Sequence, residues 1–197
     1  MFRFIGGPAR CGKTTLTRQA SEQYRGQLLS LDNLCLSYQA IASEEQYAKL
    51  KPSADIEDHP VDTWLNLLRA RDGAIWLGAK AYLAAAAKLE DDVLLEGCLW
   101  PDYISELDTA YRAVFLVDTS DQHVDRVLAA AHSDSTHNNW MSSRSDTWLR
   151  KWSEYNVERS KLYVQLAQEY HQPVFDVGEL GFQQAQTAAL DYLFSEV

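Results

Sequence analysis

The sequence predicts an α/β fold in which five strands form a doubly wound, mainly parallel sheet with helices on both faces. Three features indicate it: five short apolar runs alternate with segments of helical periodicity, a glycine-rich loop follows the first run, and carboxylates follow the second and third. Strands that alternate with helices are typical of parallel sheets, because each parallel pair needs a crossover connection. The length of 197 residues favours one domain spanning residues 1–197, large enough to bury a core.

The first strand and the loop after it form the most specific motif. Phe2, Phe4 and Ile5 predict a buried strand, and residues 7–14 then match the spacing G-x-x-x-x-G-K-[ST]. The glycines would let backbone N–H groups turn toward phosphate oxygens, and a helix from about Lys13 to Tyr24 would present its positive end to the same anion. The predicted nucleotide-binding residues are Gly7, Pro8, Ala9, Arg10, Cys11, Gly12, Lys13, Thr14 and Thr15.

Individual roles follow from the residue types in this loop. Lys13 would neutralise the β- and γ-phosphates, and the Thr14 hydroxyl would bind Mg²⁺. A glycine turn that contains Lys-Thr by chance is the alternative. The apolar run before the loop and the helical spacing of Leu16, Ala20 and Tyr24 after it favour nucleotide binding.

Two carboxylates are predicted at the same edge of the sheet as this loop. Gln27–Asp32 predicts a second buried strand that ends in Asp32, and Asp92–Gly97 predicts a third with Glu96 near its end. Ligands of open α/β sheets bind at the carboxyl ends of the strands. Asp32 either caps a turn or serves as base for an acceptor hydroxyl, and the second role is favoured. Glu96 either pairs with a core arginine or lies near Mg²⁺ and the acceptor.

The region from 37 to 90 is predicted to be mostly helical, with breaks at Pro52 and Pro60. One helix would start near Pro60 and a second, rich in alanine, would run from Ala74 to Leu89. Arg69 and Arg71 would lie at the junction. They either form solvated surface pairs or bind an anionic substrate through a bidentate guanidinium group.

The second half of the chain continues the alternation. Tyr111–Asp118 predicts a fourth strand, followed by a helix carrying Arg126, and residues 133–139 predict a polar loop. A helix from about Asp146 to Tyr170 carries an apolar stripe, within which Arg159 falls. Pro173–Val177 predicts the fifth strand. The loop Gly178–Gly181 would border the nucleotide base, before a last helix with Phe182, Ala185, Ala189 and Leu193 facing inward.

The amino-acid composition indicates the cellular compartment of the protein and the classes of partner that it is expected to bind. A net charge of −10 and a pI near 4.9 argue against a nucleic-acid-binding surface. Cys11, Cys35 and Cys98 follow no C-x-x-C spacing, which favours a reducing cytoplasm. The glycine loop begins too early to leave room for a signal peptide, and the stretch 74–89 is too short and too charged to span a bilayer. We therefore expect a cytoplasmic protein without nucleic-acid or membrane partners.

Four segments resemble the adenylate-kinase-like group of P-loop kinases, which includes nucleoside monophosphate, gluconate and shikimate kinases, chloramphenicol phosphotransferase and 2-phosphoglycerate kinase. They are Gly7–Thr14, Leu31-Asp32, Leu95-Glu96-Gly97 and an arginine-containing segment before the fifth strand. The resemblance implies the strand order 2-3-1-4-5, a helical acceptor-binding lobe over residues 37–90 and a lid over about 132–150. It also implies that Asp32 and Glu96 face the acceptor and that lid arginines cross over ATP.

The resulting hypothesis is an ATP- and Mg²⁺-dependent kinase that transfers the γ-phosphoryl group to a small acceptor, with a hydroxyl as the favoured target. Lys13 and Asp32 would take part directly, and the candidates for stabilising the transferred group are Arg126, Arg144, Arg150 and Arg159. Two alternatives are a nucleoside monophosphate kinase and a nucleotide-binding regulatory protein with weak or no ATPase activity. The widely spaced lid arginines argue against the first. The sequence leaves the oligomeric state and the choice between ATP and GTP open.

Overall fold

A computed structural model describes residues 1–51, 56–133 and 140–195 of the protein. Its sheet has the order β2-β3-β1-β4-β5, and all four pairings of neighbouring strands are parallel. The strands are β1 (Phe2–Gly6), β2 (Gln27–Ser30), β3 (Val93–Glu96), β4 (Tyr111–Val117) and β5 (Val174–Asp176). The strand order and the parallel sheet confirm the predicted fold class.

Nine helices connect and cover the strands within the described residues. They are α1 (Lys13–Gln23), α2 (Leu31–Ile41), α3 (Glu44–Leu50), α4 (Val61–Lys88), α5 (Pro101–Ser105), α6 (Gln122–His132), α7 (Asp146–Glu169), α8 (Val177–Leu180) and α9 (Phe182–Phe194). Short 3-10 helices occupy Ile56–Asp58 and Trp140–Ser143. Among the residues that the structure describes, no helix is both long enough and apolar enough to cross a membrane.

The core has two layers because successive residues of a strand point to opposite faces of the sheet. Phe4 packs in one layer with residues of α4 and α7, including Trp76 and Tyr163. Its neighbour Ile5 packs in the other layer, with Leu16 of α1 and Leu193 of α9. Helices therefore cover both faces of the sheet, as predicted.

The second strand is shorter and more exposed than predicted. It ends at Ser30, and α2 begins at Leu31, so that Asp32 lies in the first turn of a helix. Leu28 is 55% exposed. The prediction of a buried strand reaching Asp32 was wrong because β2 lies at the edge of the sheet, where β3 is its only partner among the described residues, and its side chains are more exposed than those of the central strands.

The predicted junction between two helices near Arg69 and Arg71 is also wrong. Residues 61–88 form one continuous helix of 28 residues, which starts directly after Pro60 as expected. Gly73 lies inside it, where a glycine costs only about 1 kcal/mol relative to alanine. The buried side chains of α4 continue past this point and hold the helix against the sheet. The expected break at Pro52 lies outside the described residues.

Three predictions near the carboxyl end need correction. The predicted loop 178–181 contains the short helix α8, whose first turn is capped by Asp176, with Gly178 N–H donating to its carboxylate at 2.8 Å. Ala185, Ala189 and Leu193 are buried as predicted, but Phe182 is 49% exposed because it lies at the first position of α9, beside the loop that precedes α1. Tyr170, the predicted last residue of the helix that begins near Asp146, lies just beyond the end of α7 and is 38% exposed.

Candidate active site

Residues 7–14, which comprise the loop after β1 and the first two residues of α1, are called the phosphate loop. Its backbone is left-handed at Gly7 (φ 132°), Arg10 (φ 66°) and Gly12 (φ 91°). A Cβ at Gly7 would collide with the backbone oxygen of Leu116, and one at Gly12 would lie 2.6 Å from the ring of Phe182. Close packing against β4 and α9 therefore requires glycine at both positions and fixes the course of the loop.

The amino end of α1 is suited to an anion. Within the described residues no side chain caps this end, so the first N–H groups of the helix remain available. Thr14 and Thr15 are exposed there, and Lys13 Nζ donates to the backbone oxygen of Pro8 at 2.5 Å. Burial raises the pKa of the Cys11 thiol to about 12, against the opposing influence of Lys13. Cys11 is thus a neutral packing residue within a positively polarised loop.

A cavity of about 240 Å³ opens on the side of the phosphate loop where β3 and β2 lie, and we call it the β2-side cavity. Its walls consist of Leu31, Asp32, Cys35, Leu36, Arg71, Asp72, Ile75 and Cys98. Gly97 N–H donates to the Ile5 carbonyl at 3.1 Å, and a Cβ at Gly6 would lie 2.9 Å from the Leu99 oxygen. Residues 97–99 therefore run between the start of the phosphate loop and this cavity.

The two predicted carboxylates lie on this side of the loop. Asp32 is exposed in the first turn of α2 and lines the β2-side cavity. Glu96 ends β3 in register with Ile5, and it accepts a hydrogen bond from Ser30 Oγ at 2.8 Å. The partner that the described residues give Glu96 is thus a hydroxyl and not a core arginine, which leaves carboxylate oxygen lone pairs for another ligand.

A charged network forms one wall of the β2-side cavity. Asp72 is 3% exposed and accepts hydrogen bonds from Arg71 at 2.7 and 3.0 Å and from Trp100 Nε1 at 3.0 Å. Arg159 donates to the same carboxylate. Burial opposes charge on Arg71, but the Asp72 carboxylate outweighs it, and the pKa of Arg71 lies above its ordinary value. Two guanidinium groups therefore share one carboxylate.

Sequence reasoning did not assign a role to Asp72. It lies three and four residues before the buried Ile75 and Trp76, on the same face of α4. A carboxylate within an apolar helix face needs a partner, and that spacing was the available signal.

The arginines predicted to bind the substrate or the transferred group lie in different parts of the structure. Arg69 pairs with Asp102 at 2.5 Å and lies 4.9 Å above the Trp100 ring, and it is not among the residues that line the β2-side cavity. Arg144 is exposed, with its guanidinium 4.8 Å above the ring of Trp148. Most of the predicted polar loop, residues 134–139, lies outside the described residues. Of the two arginines predicted to bind substrate, the structure brings Arg71 to the cavity that Asp32 lines.

A second cavity, of about 300 Å³, opens on the opposite side of the phosphate loop, where β4 and β5 lie, and we call it the β5-side cavity. Its walls consist of Arg10, Asp118, Gln122, His123, Arg126, Val127, Val177, Gly178, Gly181 and Phe182. The segment formed by α8 and Gly181 after β5 thus borders a cavity that Arg10 of the phosphate loop also lines.

Asp118, directly after β4, organises the wall of the β5-side cavity. It is 1% exposed, lies 2.9 Å from His123 Nδ1 and accepts from Ser120 Oγ at 2.8 Å and from Arg126. Burial would raise its pKa, but the hydrogen bonds from His123 and Arg126 outweigh burial and hold the pKa well below its ordinary value. Sequence reasoning missed this carboxylate, although the rule that selected Asp32 and Glu96, an acid at a strand end, applies to it equally.

Comparison with known proteins supports the fold. No family model matches the chain, and no curated protein matches it. Among solved structures, shikimate kinase from Bacteroides thetaiotaomicron is 14% identical, with 97% of this chain and 94% of that one covered and a TM-score of 0.52. A protein from Thermus thermophilus is 17% identical, with coverages of 99% and 98% and a TM-score of 0.47. A sugar kinase from Janibacter is 13% identical, with coverages of 86% and 96% and a TM-score of 0.46. With its parallel sheet of order 2-3-1-4-5 and the shikimate kinase similarity, the chain has the fold of the P-loop small-molecule kinases.

Proposed function

We propose that the protein is an ATP- and Mg²⁺-dependent phosphotransferase that transfers the γ-phosphoryl group to a hydroxyl of a small anionic acceptor. The observation that carries this proposal is the β2-side cavity, which Asp32 and Arg71 line and which residues 97–99 connect to the end of β1, directly before the phosphate loop. A carboxylate can accept the proton of a reacting hydroxyl, and a guanidinium group can bind an anionic group through two parallel hydrogen bonds. The volume of about 240 Å³ is below the roughly 300 Å³ at which pockets for drug-sized ligands begin, which favours a small acceptor.

The phosphate end would be held by the loop and the start of α1. Lys13 Nζ would exchange the Pro8 carbonyl, its partner at 2.5 Å, for β- and γ-phosphate oxygens. The Thr14 hydroxyl and the Glu96 carboxylate are oxygen donors suited to Mg²⁺, which when bound would neutralise charge on the β- and γ-phosphates. Both side chains belong to elements that meet at β1, because α1 follows β1 and β3 pairs with it.

The acceptor end would be held by the β2-side cavity. Arg71 would bind the anionic group of the acceptor, while Asp32 would orient its hydroxyl and accept the proton. The hydroxyl oxygen forms a bond to the γ-phosphorus as the bond between that phosphorus and the bridging oxygen breaks, so that ADP leaves. Arg126 lines a cavity together with Arg10 of the phosphate loop, which makes it the lid-side candidate for contact with the phosphates.

The first test is ADP formation from ATP with Mg²⁺ across a panel of sugar acids, other hydroxy acids, hydroxylated antibiotics and nucleoside monophosphates. Lys13→Ala is expected to lower the acceptor-dependent rate at least about 100-fold, because it removes the charge opposite the transferred group. Lys88→Ala is the matched control, since Lys88 is an exposed lysine at the far end of α4, next to the amino edge of the sheet. Equal loss in both variants, or none in Lys13→Ala, would contradict the assignment.

A second variant tests the acceptor side. Asp32→Asn is expected to lower kcat by about 10²–10⁴-fold, the range typical of general-base groups, with little change in the KM for ATP. Steady-state kinetics in both substrates checks this, and Asp108→Asn, an exposed aspartate between α5 and β4, is the control. Acceleration by nucleoside monophosphates alone would favour the monophosphate kinase. Lys13-dependent ATP binding without acceleration by any acceptor would favour the regulatory protein.

A further inference from the structure

The β2-side cavity has few side chains that can form strong hydrogen bonds with a ligand. The charged residues in its lining are Asp32, Arg71 and Asp72, and the others are aliphatic residues or cysteines. Among the described residues that line it, none has a hydroxyl or amide side chain. A thiol is only a weak donor and a weak acceptor. Hydrogen bonding from side chains to an acceptor molecule therefore depends on the charged residues.

The hydrogen-bonding capacity of Asp72 is already filled. Its Oδ1 accepts from Arg71 Nε at 3.0 Å and from Arg71 Nη2 at 2.7 Å. Its Oδ2 accepts from Trp100 Nε1 at 3.0 Å and from Arg159. A carboxylate has about four lone-pair sites, and these hydrogen bonds occupy them. Asp72 therefore lines the wall without offering an acceptor to a hydroxyl in the cavity.

Arg71 keeps donors for a ligand. Among the described residues, the hydrogen bonds of its side chain involve one edge of the guanidinium group, formed by Nε and Nη2. The other edge, formed by Nη1 and the second hydrogen of Nη2, matches a carboxylate. The Arg71 side chain is 25% exposed, whereas that of Arg159 is 3% exposed. Because these two cations share the one negative charge of Asp72, their network presents one positive charge, and it does so at Arg71.

The remaining wall is suited to a carbon skeleton. The cavity of about 240 Å³ has room for about eight water-sized groups at about 30 Å³ each. Leu31 and Ile75, both 4% exposed, line it together with the cysteines. With a hydroxyl at Asp32 and an anionic group at Arg71, the rest of an acceptor would lie against these apolar side chains. Further hydroxyl groups there would lose water without gaining a partner.

We propose that the β2-side cavity selects an acceptor with one hydroxyl, one carboxylate and an otherwise apolar carbon skeleton, and that it discriminates against polyhydroxy acids. The carboxylate binds the free edge of Arg71, and the hydroxyl faces Asp32, as in the proposed function on which this inference rests. The single negative charge of the acid complements the single positive charge of the arginine network, whereas a phosphate dianion exceeds it. The products are the phosphate monoester of the acid, ADP and the proton that Asp32 accepts.

The test compares kcat/KM at saturating ATP and Mg²⁺ for pairs of acids with the same carbon chain. One pair is ω-hydroxyhexanoate and gluconate, and another is ω-hydroxybutanoate and threonate. We expect kcat/KM of the monohydroxy acid to exceed that of its polyhydroxy partner at least about tenfold, because a hydroxyl desolvated without a partner costs about that factor or more. A phosphate monoester, ω-hydroxybutyl phosphate, should be turned over more slowly than the carboxylates.

Cys35→Ser tests the apolar wall directly. Cys35 is partly buried and lines the cavity from α2. Serine has nearly the size of cysteine, and its hydroxyl would give an additional ligand hydroxyl a partner, so we expect the ratio within each pair to fall about threefold or more. The Sγ of Cys35 accepts from Gln39 Nε2 at 3.4 Å, a hydrogen bond that serine can keep. Ala40→Ser, at an exposed position of the same helix outside the cavity lining, is the matched control and should keep the ratio.

The outcomes separate this inference from the proposed function. Equal kcat/KM within the pairs, or a higher value for gluconate or threonate, overturns the inference while the proposed function stands, whether or not Cys35→Ser folds. Turnover of ω-hydroxybutyl phosphate at or above the rate of the carboxylates, or an unchanged ratio in folded Cys35→Ser, overturns it as well. If folded wild type binds ATP but no hydroxy acid of either kind raises ADP formation, the proposed function and the inference are both overturned.

Discussion

Two buried carboxylates, Asp72 and Asp118, stand on opposite sides of the phosphate loop and differ in the exposure of their cationic partners. The Asp72 side chain pairs with Arg159, whose side chain is 3% exposed, and with Arg71, which is 25% exposed. Asp118 pairs with Arg126, which is 45% exposed. If the carboxylate is lost, Arg126 can return to water but Arg159 cannot. We infer from this difference that the burial of the cation, more than that of the anion, determines how much free energy of unfolding is lost when each network is broken.

The two networks also differ in what they connect. Asp72 joins α4 to Arg159 of α7 and to Trp100 after β3, so it holds together elements distant in sequence. Asp118 contacts His123 and Arg126, both within eight residues of it. The first network therefore stabilises the wall of the β2-side cavity as tertiary structure, whereas the second orients the first turns of α6.

The largest predicted effect is that of Asp72→Asn. This change leaves two guanidinium groups without a counter-charge, one of them fully enclosed, and we expect a loss of about 3–5 kcal/mol in the free energy of unfolding. Urea denaturation at neutral pH measures it. Asp62→Asn, at the exposed start of the same helix, should cost less than about 1 kcal/mol. Similar losses in the two variants would mean that Asp72 is not the anchor of α4.

Asp118→Asn is expected to cost less, about 1.5–3 kcal/mol in the free energy of unfolding, the range for hydrogen bonds to a charged group. The cost should depend on pH in a defined direction. The pKa of Asp118 is held below its ordinary value, so its ionised form stabilises the folded state at neutral pH, and this contribution is lost as the pH falls below that ordinary value toward the lower pKa of the folded state. The amide of Asp118→Asn does not titrate, so the stability of this variant lacks the contribution that depends on ionisation of Asp118.

The measurement for Asp118 is urea denaturation of the wild type and Asp118→Asn at several pH values. The two free energies of unfolding should run parallel above about pH 6 and converge below about pH 4, because protonation of the aspartate in the unfolded state removes the advantage of the wild type. Asp125→Asn, an exposed aspartate on the same helix, should stay parallel to the wild type throughout. A constant gap between wild type and Asp118→Asn down to pH 3 would show that the charge of Asp118 does not contribute.

The features predicted most fully from the sequence are those that depend on residues close together in the chain. The phosphate loop could be read from residues 7–14 because its glycines and its lysine act within one turn of the chain. Asp32 was predicted at the end of a strand and lies in the first turn of α2, where it lines the β2-side cavity. The end of β2 and the start of α2 lie at the same edge of the sheet, so its position did not depend on which element holds it. Asp72 was not assigned a role because Arg159, its most buried partner, is 87 residues away. Periodicity gives the face of a helix but not the partner that meets it.

The smallest predicted effect is that of Arg126→Gln, which removes the exposed partner of Asp118. Because this guanidinium is 45% exposed and Asp118 keeps His123 and Ser120 as donors, we expect a loss below about 1 kcal/mol in the free energy of unfolding, and less at high salt. Urea denaturation at two salt concentrations measures it, with Arg150→Gln, an exposed arginine of α7, as control. If Arg126→Gln costs as much as Asp72→Asn, exposure of the cation does not distinguish the two networks, and the comparison fails. If Arg126→Gln keeps its stability but binds ATP more weakly, the exposed Arg126 contributes to ligand binding, whereas the buried Arg159 contributes to the stability of the fold.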